Sequence, residues 1–89
     1  MNAWTDDAHP ALNPMYRMQF EEAQQSWVLL YPEGMVRLNG PAAEILKRCD
    51  GRTPVQALVA DLQSTFGESD LRADVLAFLE QAGGRGWIR

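Results

Sequence analysis

The stretch Ser26-Trp27-Val28-Leu29-Leu30-Tyr31-Pro32-Glu33-Gly34-Met35-Val36-Arg37-Leu38-Asn39 decides the fold. Its first six residues are apolar on both faces and rich in aromatic and branched side chains, which suits a buried central strand. Tyr31-Pro32-Glu33-Gly34 then sets Pro where a type I or II turn wants a fixed negative φ, with Gly at the exit. A hairpin is expected, with Met35 to Leu38 as a short alternating return strand at a sheet edge. Upstream, Tyr16, Met18 and Phe20 alternate with Arg17, Gln19 and Glu21, the period of a strand with one wet face.

The period changes to 3.6 at Asn39. Ala42, Ile45, Leu46 and Cys49 form one stripe of a helix that opens near Pro41 and stops at Asp50-Gly51. Thr53-Pro54-Val55-Gln56 has the spacing of a capping box, and Val55, Leu58, Val59, Leu62 and Phe66 carry a second helix to Gly67. Ser69 is the expected cap of a third, with Leu71, Val75, Leu76, Phe78, Leu79 and Ala82 as its apolar residues and Gly83-Gly84 as its stop. Leu76 lies off the stripe of Leu71, Val75, Phe78 and Ala82, so this helix can turn one face to a core and another to a groove. The fold class is therefore α+β, a three-stranded antiparallel sheet followed by three helices. Residues 1–14 hold Asp6, Asp7, His9, Pro10, Asn13 and Pro14 without apolar period, and are expected to form a flexible arm ahead of a domain over 15–89.

An 89-residue chain supports one core, and three Trp, two Tyr and three Phe are enough to fill it. Twelve acidic residues against eight basic ones give a net charge of −4, which repels phosphate backbones and anionic lipid. No apolar run reaches membrane-spanning length, and the acidic start of the chain is unlike a signal peptide, so the cytoplasm is the expected compartment. Cys49 is the single cysteine and excludes an internal disulfide or a CxxC pair.

Catalytic candidates are few. His9, the one histidine, falls in the arm; Cys49 reads as a small buried hydrophobe on its stripe; Glu21-Glu22 and Asp6-Asp7 read as solvated surface. Gly83-Gly84-Arg85-Gly86 follows a helix and lacks the Lys and hydroxyl of a phosphate loop. The order Ser69-Asp70-Leu71 is not the Asp-Ser-Leu of an acyl carrier protein. A winged-helix DNA-binding regulator fits the element order and is the alternative, but its third helix would carry Asp70, Asp74 and Glu80 against Arg72 alone. No catalysis, metal or cofactor is expected.

Taken together, Arg17-x-x-Phe20, Trp27, Leu30-Tyr31-Pro32-Glu33-Gly34, Leu38-Asn39, Ala42-Ala43-Glu44-Ile45-Leu46, Cys49-Asp50-Gly51 and Asp74-Val75-x-x-Phe78-Leu79 resemble the coenzyme PQQ synthesis protein D (PqqD) family from about Tyr16 to the C-terminus. Pro41 departs from the Thr or Ser of that pattern. The resemblance implies a winged helix-turn-helix-like peptide chaperone, a RiPP recognition element. Such a chaperone would bind the precursor peptide PqqA and deliver it to the radical SAM enzyme PqqE in pyrroloquinoline quinone biosynthesis. It further implies that the leader peptide adds to the third strand and lies against the third helix. Physics supports the same place, because an edge strand offers unpaired backbone groups to an extended peptide. The expected peptide-binding residues are Met35, Val36, Arg37 and Leu38 on the strand, and Leu71, Asp74, Val75 and Phe78 on the helix. Val36, Leu71 and Phe78 are equally compatible with ordinary core, whereas Arg37 and Asp74 can pair with charges on the peptide. An open edge also permits a homodimer.

Overall fold

The computed structural model of the chain describes residues 4–89. Three strands, β1 (Arg17–Glu21), β2 (Ser26–Tyr31) and β3 (Gly34–Arg37), precede three helices, α1 (Gly40–Lys47), α2 (Val55–Phe66) and α3 (Arg72–Gly84). The sheet order is β1-β2-β3, antiparallel throughout, as the alternation and the Pro-Glu-Gly turn imply. Register pairs Leu29 with Met18 and Val36, and Val28 with Gln19 and Arg37. Leu29, Met18 and Val36 face the helices and join the core; Val28, Leu30, Met35 and Arg37 lie on the opposite face.

The helix stripes read from the sequence form the core. Ala42, Ile45, Leu46, Cys49, Val55, Leu58, Val59, Leu62, Val75, Leu79 and Ala82 are buried around Leu29 and Leu38, closed from the C-terminal side by Trp87 and Ile88. Phe66, last on the α2 stripe, is instead half exposed. Asn39 caps α1, its side chain accepting from the Ala42 N–H at 2.8 Å. Asn39→Ala is expected to cost about 1 kcal/mol, a fall of about 4–8 °C in Tm by thermal circular dichroism.

Two helix caps expected from the sequence are not formed. Thr53 builds no capping box: its N–H and hydroxyl both donate to the Asp50 carboxylate, which also takes the Arg52 N–H. The free N–H groups that open α2 are met from the other end of the chain, Val55 donating to the Ala8 carbonyl at 2.9 Å and Gln56 to that of Asp6 at 3.2 Å. Ser69 does not cap α3, which opens from Leu71; Asp70 takes a left-handed φ of 71°, and the Leu71 N–H donates to the Gln63 side chain at 3.1 Å.

The segment expected to be a flexible arm over residues 1–14 is laid onto the body wherever it is described, from residue 4; residues 1–3 lie outside the described part. Ala11 bridges Asp50 and Leu12 bridges Ile88, Pro10 is fully buried, and Asp6 pairs with Arg72 of α3. Trp4 packs on α3 so closely that a Cβ on Gly83 would lie 3.4 Å from its Nε1. The segment holds by backbone hydrogen bonds and scattered anchors, and so has no apolar period to announce it.

Candidate functional site

The sheet has two edges, and what lies beside β3 sets it apart. Leu38, just past the strand, donates its N–H to the Trp27 carbonyl at 2.9 Å. In an antiparallel ladder alternate residues turn their N–H and C=O to the same side. Val36, two residues before Leu38, therefore faces β2, and Met35 and Arg37 turn their backbone groups outward. No strand pairs on that side among the described residues.

Immediately beyond β3 the chain enters α1, and Gly40 and Pro41 form one wall of an open cavity of about 540 Å³. Ile45 of α1, Leu62 and Phe66 of α2, and Leu71 and Val75 of α3 supply its apolar lining, with Glu44, Glu68 and Asp74 around it. Glu44 is already engaged: hydrogen bonds from Lys47 and Arg48 hold its carboxyl below the ordinary range. Glu68 and Asp74 are exposed and make no ion pair among the described residues.

The eight residues singled out from the sequence separate into distinct roles. Met35 is 46% exposed and Arg37 is exposed, both on the sheet face away from the helices. Val36 is half-buried against the core, and Leu38 is core with its N–H taken, so it offers a strand partner nothing. Leu71, Asp74 and Val75 meet at the cavity, Val75 as a buried core residue that also lines it. Phe78 continues their helix face one turn on, half-buried against the core and outside the cavity. Sequence reasoning missed Pro41, Ile45, Leu62, Phe66 and Glu68, because stripes identify core faces but not where three helix ends leave a gap. The one available signal was Phe66, a large apolar residue at the very end of its helix.

Chemistry is sparse around this surface. Cys49 is buried, its thiol donating to the Ile45 carbonyl at 3.4 Å, and burial, helped by the Asp50 charge, pushes it up to about 12. At about pH 7.5, iodoacetamide is expected to label native Cys49 about three orders of magnitude more slowly than the unfolded chain. Mass spectrometry of the alkylated protein reads this directly. Among the described residues no group of His, Cys, Asp and Glu could hold a metal ion, and no helix is long and apolar enough to cross a membrane.

Comparison with known proteins places this arrangement. The family model described as coenzyme PQQ synthesis protein D (PqqD) matches residues 26–88. The PqqA binding protein of Pseudomonas aeruginosa is 53% identical over 83 residues, covering 92% of this chain and 90% of that one. The protein of the same name from Methylococcus capsulatus is 49% identical over 78 residues, 88% of this chain and 84% of that one. The solution structure of the PqqD truncation of Methylobacterium extorquens PqqCD, described as a functional and stand-alone RiPP recognition element, superimposes with a TM-score of 0.81. It is 28% identical and covers 99% of this chain and 96% of that one, so the three strands and three helices form a winged-helix-like fold. With the family model spanning most of the chain and relatives near half identity along almost its whole length, the chain belongs to the PqqD family.

Proposed function

We propose that the chain is a non-catalytic peptide chaperone of pyrroloquinoline quinone biosynthesis, which captures the precursor peptide PqqA as a fourth strand on β3 and delivers it to the radical SAM enzyme PqqE. The observation that carries this is the outward-facing backbone of Met35 and Arg37 directly beside an apolar cavity. Main-chain bonds supply affinity in such a complex and the cavity supplies selectivity. Relatives named PqqA binding proteins support the identity of the peptide. The reactive chemistry belongs to the partner enzyme, and we assign the module to the cytoplasm, where its lone thiol stays reduced. A homodimer built along β3 would use the same amides and therefore compete with the peptide.

The DNA-binding reading loses its one cation on α3, because Arg72 is paired with Asp6. The test of the peptide reading is nuclear magnetic resonance of the labelled chain titrated with PqqA, followed by addition of PqqE. Perturbation centred on Met35, Arg37 and the cavity lining, and a ternary complex with PqqE, are expected. Saturating PqqA that leaves the β3 amides unmoved would overturn strand addition, and absence of a ternary complex would overturn delivery.

A further inference from the structure

The open edge and the cavity carry opposite charge. Arg37 is exposed on the outer sheet face, its neighbour across the ladder is the apolar Val28, and no carboxylate pairs with it among the described residues. It shares this with Arg17, Arg52, Arg85 and Arg89, but Arg37 alone of these lies on β3. On a strand added to β3, the residue opposite Arg37 would set its side chain directly beside the guanidinium, where opposite charges attract and like charges repel. The neighbouring outer position would meet the exposed Met35. The residue between these two would turn inward, next to Val36 on the helix side.

The cavity has the reverse sign. Its floor is apolar, its rim holds the unpaired Glu68 and Asp74, and no Lys or Arg lines it. Gly40 in its wall is three residues past Arg37, so the near wall of the cavity lies no more than about 11 Å from Arg37 along the backbone. A strand advances about 3.3 Å per residue, so one short peptide segment reaches both.

We propose that the ligand is a bipolar peptide: it sets a carboxylate beside Arg37 on the outer sheet face and, about three or four residues further along, an apolar side chain in the cavity with a Lys or Arg facing Glu68 and Asp74. This rests on the strand-addition reading. The sign pattern selects among peptides of similar apolarity and dictates the direction in which the ligand lies, since reversal would bring Arg37 against a cation and the acidic rim against a carboxylate. An edge arginine that serves only to deter strand aggregation is the competing explanation, and it requires nothing of the ligand's charge.

Charge exchange separates the two. The full chain, Arg37→Glu and Asp74→Lys are titrated calorimetrically with PqqA and with PqqA versions in which each carboxylate or each cation is reversed singly. Both substituted residues are exposed and unpaired, so the fold is retained. Each variant is expected to bind PqqA about threefold to fivefold more weakly at low salt, with the difference lost near 0.5 M salt. One carboxylate-to-Lys peptide should restore binding to Arg37→Glu alone, and one cation-to-Glu peptide to Asp74→Lys alone. Unchanged affinities, or losses that no peptide reversal rescues, overturn the bipolar assignment. If that happens while the Met35 and Arg37 amides still respond to PqqA, strand addition stands; if those amides are silent, it falls as well.

Discussion

Met35→Pro is expected to weaken PqqA binding at least about tenfold while the domain remains folded, whereas Val36→Pro, one residue on, should damage the fold itself. The difference follows from backbone parity. Leu38 donates to Trp27, so the Val36 N–H belongs to the β2 ladder and the Met35 N–H faces the open edge. Proline at an outward position of an edge strand is tolerated, because no ladder bond is lost, but it deletes a donor and sets a ring where an incoming strand must approach. At position 36 the same residue removes a bond between β2 and β3, for a loss of about 2 kcal/mol and about 10 °C in Tm. Calorimetric affinity and thermal circular dichroism on both variants give the comparison. Met35→Pro that binds PqqA like the parent chain would remove β3 from the binding site.

Deleting residues 1–9 should lower stability by about 3 kcal/mol, although composition marks that segment as expendable. Two α2 N–H groups lose the Ala8 and Asp6 carbonyls, worth about 1 kcal/mol each by analogy with side-chain caps. Loss of the half-buried Trp4 against α3 adds about another. The Asp6–Arg72 pair is exposed and adds little. An 89-residue domain has only about 4–13 kcal/mol in all, so the expected fall in Tm is about 12–20 °C. A truncated chain that melts with the full one would mean that the segment docks without consequence.

Elements whose causes are local were legible from the residues alone. β2 and its turn are where Ser26 to Gly34 put them, and the α2 stripe ends at Gly67, whose left-handed φ of 64° suits glycine. Caps were harder, because Thr53 and Ser69 carry suitable side chains but do not cap. Asp50 takes the Thr53 hydroxyl, and distant carbonyls serve the start of α2. Arg37 and Asp74 were visible in the sequence as charges on an edge strand and a helix; both are exposed, and Asp74 lines the cavity.

By itself the sequence determined the order of the elements, the hairpin and the apolar faces, since periodicity and turn chemistry act over a few residues. Only the tertiary structure decided that Met35 and Arg37, and not Val36 and Leu38, present free backbone, because that parity comes from the register with β2. Only it assembled the cavity from the ends of three helices, and turned a polar N-terminal segment into the cap of α2. These features depend on groups far apart in the chain meeting in space, and no local period records where such meetings occur.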